Sequence, residues 1–165
     1  MYLSFINIKL ITKYFFFSVF LILVQAYLPK IFINSNLKIS IDLFLIFLTF
    51  ISFLKKDIYL IIFYAFIIGL LQDFIVNIEI IGSLAFIKSL SVYCIGILKN
   101  RDKLWNRVIK ITFLYLVYFS HFFIYYYILM NNNFGLIFYL SFIQSLVALL
   151  LFYFIEKVFY NSRLI

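Results

Sequence analysis

Residues 69–93 read GLLQDFIVNIEIIGSLAFIKSLSVY, and this stretch carries an acid, Asp73, and a base, Lys88, inside segments that are otherwise apolar. A charge at bilayer depth costs roughly 2.5–3.5 kcal/mol on insertion scales, so it normally faces protein or a water-filled cavity. The two charges therefore mark the centre of the expected fold. The chain on either side of them is typical of membrane helices.

The composition of the whole chain predicts an integral membrane protein. The 165 residues are 67% hydrophobic and 12% charged, whereas a soluble domain is about half apolar and about a quarter charged. We predict one all-α domain over residues 1–165, a compact bundle of about six transmembrane helices. Strands are disfavoured, because the apolar runs do not alternate polar and apolar residues. The predicted helices lie at about 14–33, 39–54, 58–76, 80–98, 108–130 and 134–155.

The basic residues are distributed as in a membrane protein rather than as in a nucleic-acid-binding protein. The formal net charge is +8, but the cations fall in short clusters between apolar runs. With the N-terminus inside, eleven lysines and arginines lie on the inner side and two on the outer side, while Lys88 lies within a membrane segment. This asymmetry follows the positive-inside rule. It predicts a multi-pass protein with both termini cytoplasmic and no nucleic-acid partner.

The main inner loop, residues 98–110, reads LKNRDKLWNRVIK and is strongly basic. The favoured interpretation is interfacial anchoring, with the tryptophan at headgroup level and the cations on anionic lipid. The alternative is a docking site for a cytoplasmic partner. The candidate contact residues are Lys99, Arg101, Lys103, Trp105 and Arg107.

Small and polar residues on the third and fourth predicted helices indicate close helix packing. Gly69 and Asp73 share one helix face, since they are four residues apart, and a glycine there lets a neighbouring helix approach closely. A stripe of small residues marks the facing helix. The candidate packing or partner-binding residues are Gly69, Gln72, Asp73, Gly82, Ala85, Lys88, Ser89 and Tyr93.

Lys88 is a candidate ion-pair partner for Asp73. If the third helix runs outward and the fourth inward, the two side chains differ in depth by about 7 Å, which a snorkelling lysine can reach. The alternative is that Lys88 reaches the headgroups without a partner. His121 lies at a similar depth in the fifth predicted helix. A packed, hydrogen-bonded role is favoured for His121 over a proton relay or a metal ligand, because no second ligand lies at helical spacing.

Enzyme signatures are absent from the sequence. It contains no HExxH motif, no glycine-rich phosphate loop and no nucleophile elbow. The six acidic residues are scattered along the chain. We therefore predict no enzymatic activity, no cofactor and no metal.

An ordered set of short motifs runs along the first four predicted helices. The set comprises Pro29, Ile41-Asp42-Leu43, Lys55-Lys56, Gly69-x-x-x-Asp73, Gly82-x-x-Ala85 and Tyr93. In this order, over residues 14 to 130, it resembles the MreD family, the small polytopic subunit of the bacterial rod-shape machinery. Two residues depart from the family pattern. Ile41 stands where the family often has proline, and Lys88 is not expected in its helix.

The resemblance implies a non-enzymatic scaffold in the bacterial inner membrane that regulates cell shape and peptidoglycan synthesis. It implies association with MreC and other elongation-complex subunits. The fold of that family is similar to the substrate-binding subunit of energy-coupling-factor transporters, which gives an alternative function, capture of a vitamin or other small molecule. A capture subunit needs convergent polar groups on the outer side, and the predicted outer loops carry few. The scaffold is therefore favoured, and no small-molecule ligand is expected.

Overall fold

The computed structural model describes residues 8–27, 31–34, 37–39, 41–55, 57–76, 81–100, 104–129 and 133–159. Within these residues the chain forms six helices and one short antiparallel hairpin. The helices are α1 (Ile8–Tyr27), α2 (Leu43–Leu54), α3 (Ile58–Val76), α4 (Ser83–Asn100), α5 (Arg107–Leu129) and α6 (Phe134–Phe159). The hairpin strands are β1 (Ile31–Asn34) and β2 (Leu37–Ile39).

Three of the described helices are long and apolar enough to cross a membrane, and these stretches are Ile58–Ile75, Arg107–Leu129 and Phe134–Val158. Large apolar side chains cover their outer surfaces; on α3, for example, Tyr59 and Phe63 are strongly exposed. Soluble monomers rarely show apolar patches of such extent. This agrees with the prediction of a helical membrane protein.

The first predicted helix is displaced in the structure. It was expected over 14–33, but α1 ends at Tyr27 and β1 begins at Ile31, opposite Ile39 of β2. Proline lacks a backbone N–H and ends helices, and Pro29 falls between the two elements, outside the described residues. The strand pairing that follows was not predicted, because apolar content alone does not separate a short strand from the end of a helix.

Helix α2 is shorter than predicted because Asp42 fixes its start. The Asp42 Oδ1 atom accepts a hydrogen bond from the backbone N–H of Leu45 at 3.0 Å, which is the standard N-cap arrangement. Helix α2 has 12 residues and is therefore about 18 Å long, well short of the roughly 30 Å of a bilayer core.

Helices α2 and α4 lie between two apolar clusters and form the inside of the bundle. One cluster joins them to α5 and α6, where Phe50 stacks on Phe152 with ring centroids 4.7 Å apart. The other joins them to α1 and α3, with Leu48, Ala65 and Val92 fully buried. Helix α2 thus buries residues on opposite faces, which suits a helix that is apolar all round.

Helices α3 and α4 approach each other closely at Gly69. A Cβ atom added there would lie 2.5 Å from the Cα atom of Ala85, so only glycine fits without moving a helix. Gly82 has φ +97°, a conformation that favours glycine, and it directly precedes α4. Of the predicted small residues, Gly82 therefore forms the turn before α4, and Ala85 makes the packing contact with Gly69.

Candidate functional site

A buried ion pair joins Lys88 of α4 to Asp42, the residue that caps α2. The Nζ atom of Lys88 lies 2.7 Å from Asp42 Oδ1 and 2.5 Å from Oδ2. The relative exposure of the side chains is 0% for Lys88 and 8% for Asp42. The ammonium group also lies 4.8 Å from the centroid of the Phe44 ring. The pair therefore fixes the start of α2 against the second turn of α4.

This pairing corrects the sequence-based hypothesis that Lys88 pairs with Asp73. The Asp73 carboxylate instead faces the N-terminus of α4. It accepts hydrogen bonds from the backbone N–H groups of Gly82 at 3.0 Å, and of Leu84 and Ala85 at 3.2 Å each. A helix N-terminus offers unpaired N–H groups and a positive dipole end. Asp73 is satisfied there and ties the end of α3 to the start of α4.

His121 of α5 lies beside the ion pair and is almost fully buried. Its Nδ1 atom lies 3.1 Å from Ser91 Oγ, and its Nε2 atom lies 3.7 Å from Asp42 Oδ2. The Ser91 hydroxyl also donates to the carbonyl of Ile87 at 2.8 Å. Ser91 and His121 therefore join α4 to α5 beside the ion pair.

Asp42, Lys88, Ser91 and His121 together form a buried polar centre. A cavity of about 20 Å³ adjoins it. A volume of roughly 10–15 Å³ on this measure is enough for one water molecule. Polar side chains line the cavity from α1, α3, α5 and α6, as well as from Asp42. The lining residues are Gln25, Asp42, Gln72, Leu84, His121, Phe122, Tyr125 and Gln144.

Two amide oxygens at the cavity are unsatisfied. Among the residues that the structure describes, the Oε1 atoms of Gln25 and Gln72 are buried and have no hydrogen-bond partner. In contrast, Gln144 Oε1 accepts a hydrogen bond from the Tyr126 hydroxyl. Buried amide oxygens usually accept a hydrogen bond from protein or from ordered water.

The remaining predicted residues of α4 make ordinary contacts. The Ser89 hydroxyl donates to the carbonyl of Phe86 within its own helix at 2.8 Å, and the Tyr93 side chain is about half exposed. Gly96, on the same helix, packs against the side chain of Ile58.

The basic residues of the predicted inner loop do not come together as one site in the described part of the loop. Lys99 donates to the carbonyl of Ser52 at 3.0 Å and to that of Lys55, so it closes the C-terminal end of α2. Trp105 packs on Phe113, with ring centroids 5.2 Å apart. The other three predicted contact residues are Arg107, which is exposed at the start of α5, and Arg101 and Lys103, which lie outside the described residues.

Sequence reasoning missed Asp42, Gln25 and Gln144 as members of the buried site. In the sequence, Asp42 was noted only as part of a family motif. Its position directly before a strongly apolar run is a cap signal, and Lys88 needed an acidic partner. Gln25 is a lone polar residue in an apolar run, and Gln144 lies in another such run beside Ser145, so a signal for both was available in the sequence.

Fold and site together define a helical membrane protein with a buried ion pair and an adjoining polar cavity. Compared with known proteins, the chain matches no family model, no curated protein and no solved structure. The resemblance to the MreD family therefore depends on the quoted motifs alone.

Proposed function

We propose that the protein is a non-enzymatic scaffold subunit of a complex in the bacterial cytoplasmic membrane, and that it regulates cell shape and peptidoglycan elongation together with MreC. The observation that carries this proposal is that the motif residues serve to hold the bundle together. Asp42 joins α2 to α4, and Asp73 joins α3 to α4. A bundle fixed in this way presents its helix faces to partner proteins and lipid in a constant arrangement.

The size of the cavity supports the scaffold over capture of a vitamin-sized molecule. Pockets for such ligands measure about 300–1,000 Å³, whereas this cavity measures about 20 Å³. The ammonium group of Lys88 is paired with the Asp42 carboxylate, so it does not offer a binding site for an anionic substrate.

In the proposed topology the chain crosses the membrane six times and both termini are cytoplasmic. The distribution of basic residues, eleven inside and two outside, supports this orientation. The cavity then faces the outer half of the membrane. The shortness of α2 fits this arrangement, because its start at Asp42 lies about 12 Å inside a core of roughly 30 Å. At that depth the carboxylate needs a partner from the protein, and Lys88 supplies it.

One observation favours the alternative, a capture subunit of the energy-coupling-factor type. Polar residues from α1, α3, α5 and α6 converge with Asp42 on one cavity, as the walls of a binding site do. In this alternative the bundle opens around the cavity when a small ligand binds, and the subunit docks on a transport ATPase module.

Cross-linking in native membranes tests the two functions against each other. The tagged full chain is captured after cross-linking, and bound proteins are identified by mass spectrometry, with an unrelated tagged membrane protein at equal abundance as the control. We expect enrichment of an MreC-type protein and of peptidoglycan-elongation subunits. Depletion of the protein is expected to turn rod-shaped cells round.

The outcomes are distinguishable. Enrichment of a transport ATPase module with unchanged cell shape contradicts the scaffold and supports the capture subunit. Enrichment of neither set of proteins, at normal abundance of the chain in the membrane, contradicts both.

A further inference from the structure

A third ionisable side chain lies against the buried ion pair. The Nε2 atom of His121 is 3.7 Å from Asp42 Oδ2, and the same oxygen is 2.5 Å from Lys88 Nζ. The relative exposure is 1% for His121, 0% for Lys88 and 8% for Asp42. The carboxylate at the start of α2 therefore lies between a basic side chain from α4 and one from α5.

The ion pair is neutral as a whole, so a proton on His121 would add a charge that the polar centre does not balance. Among the described residues, the charged side chains that act on His121 are Asp42 and Lys88. Asp73 acts on Lys88, but its carboxylate is bonded to the backbone of α4. A charge without a counter-ion is costly in a buried site. The other polar groups that line the cavity with His121 are uncharged, namely the amides of Gln25 (α1), Gln72 (α3) and Gln144 (α6) and the phenol of Tyr125 on α5 itself.

The burial of His121 determines how a proton reaches it. In the closed bundle the ring is almost inaccessible, so proton uptake requires that α2, α4 and α5 separate locally. In the opened form the imidazole is hydrated and takes up a proton near pH 6.5, as an exposed histidine does. Because the opened form binds the proton and the closed form resists it, a fall in pH below about 6.5 favours opening. Above that pH this destabilising effect disappears.

We propose that His121 is an acid-sensitive switch for the start of α2, in which proton uptake at the imidazole releases Asp42 from Lys88 and loosens α2 from α4 and α5. The effect centres on Asp42, because this residue caps α2 and lies against both basic side chains. Helix α2 is also the shortest of the described helices. The contact between α3 and α4 is held by Asp73 and is expected to be insensitive. The proposal is independent of the scaffold function, and it goes beyond the packed, hydrogen-bonded role expected for His121.

Amide hydrogen exchange of the purified full chain in detergent tests the switch. Exchange is measured at about pH 7.5 and about pH 5.0, and each rate is divided by the intrinsic chemical rate at that pH. One histidine that titrates near pH 6.5 in the opened form raises the opening equilibrium by up to about thirtyfold over this range. We expect a rise of this order for the amides of α2. The amides at the contact of Gly69 with Ala85 are the internal reference, and they are expected to change much less.

Variants assign the acid effect to His121. His121→Gln and His121→Asn remove the titration and keep a polar side chain, so each is expected to reduce the rise at α2 to less than about threefold. The melting temperature of the wild type is expected to fall by about 4–8 °C more than that of either variant over the same pH range. Ser120→Ala is the matched control, because that hydroxyl is on the adjacent residue, donates to the carbonyl of Val117 at 2.9 Å and does not contact the polar centre. Its acid response is expected to equal that of the wild type.

Four results would overturn the proposal. An acid response of wild-type size in a folded His121→Gln or His121→Asn protein would place the titrating group elsewhere. An equal rise at α2 and at the α3–α4 contact would mean that acid unfolds the bundle as a whole. No rise at α2 in the wild type, or slower exchange there in acid, would contradict release by the proton. The comparison of the two segments in the wild type decides the question even where neither variant folds.

Discussion

Replacing Lys88 by methionine removes the ammonium group that lies 2.5 Å from Asp42 Oδ2 and leaves the carboxylate buried. At an effective dielectric constant near 20, two unit charges at this separation attract by about 7 kcal/mol. The cost of removing both charges from water offsets part of that attraction. Loss of one partner of a buried pair typically costs about 3–5 kcal/mol, because the remaining charge is stranded. We therefore expect Lys88→Met to be strongly destabilising.

Replacing Asp42 by asparagine provides the matched second change. Asparagine is as good an N-cap residue as aspartate, so the bond from Leu45 N–H is expected to survive while the charge is lost. The double variant Asp42→Asn with Lys88→Met has no stranded charge. It is expected to be more stable than Lys88→Met alone, with a coupling energy of at least about 1.5 kcal/mol between the two sites.

The assay is thermal unfolding of all four proteins in one detergent at equal concentration. For a chain of this length a loss of 1 kcal/mol lowers the melting temperature by about 2–4 °C, so Lys88→Met is expected to melt about 6–20 °C below the wild type. A parallel cycle with Asp73→Asn is expected to give a smaller coupling, since Asp73 is bonded to the α4 backbone. A coupling within error of zero for Asp42 and Lys88, or a larger coupling for Asp73 and Lys88, would refute the assignment of the ion pair.

Three further predictions concern packing, capping and topology. Gly69→Ala is expected to lower the melting temperature, because the added Cβ would lie 2.5 Å from the α4 backbone. Gly135→Ala is the control, and it is expected to leave the melting temperature unchanged or raise it slightly, because open space surrounds that position. Equal effects of the two changes would contradict the close approach of α3 and α4. Asp73→Ala removes the acceptor for three backbone N–H groups and is expected to cost about 1–3 kcal/mol by chemical denaturation, and a loss below about 0.5 kcal/mol would contradict its capping role. Cysteine labelling with an impermeant reagent on intact cells is expected to modify position 132 and not position 55, and the reverse pattern would overturn the proposed orientation.

The sequence predicted those parts of the fold that depend on local pattern. Helix α3 was predicted at 58–76 and is found at Ile58–Val76, because its long apolar run is bounded by charged and polar residues on both sides. The start of α2 was misplaced, because residues 39–42 read Ile-Ser-Ile-Asp and the cap signal of Asp42 was not used. That point depends on the Asp42 cap, whose carboxylate is also held by a residue 46 positions away.

The partner of Lys88 could not be identified from depth alone. Asp73 was predicted because it lies in the neighbouring helix, near Lys88 in sequence and at a depth that the lysine can reach. Two features of the tertiary structure exclude an ion pair between Lys88 and Asp73. The turn before α4 brings its free N–H groups to Asp73, and α2 packs against α4 so that Asp42 reaches the lysine. Asp73 was recognised as a buried acid that needs protein partners, and this expectation requires only its position in an apolar run.

The ion pair has a further consequence for the arrangement of α2. Buried ion pairs often add little net stability, and well-packed apolar replacements can equal them. Helix α2 is buried on opposite faces, and Thr49 and Ser52 are its only polar residues, so hydrophobic burial alone specifies its rotation and its position along the bundle only weakly. The charged contact at the capping residue Asp42 helps to specify both, because any shift along or around the helix axis separates the carboxylate from Lys88. The same contact holds Asp42 beside His121 and the cavity. Two further polar contacts act on α2, since the Tyr118 hydroxyl donates to Thr49 Oγ1 and Lys99 donates to the carbonyl of Ser52, each at 3.0 Å. Of these contacts, the ion pair is the one that also positions the polar site.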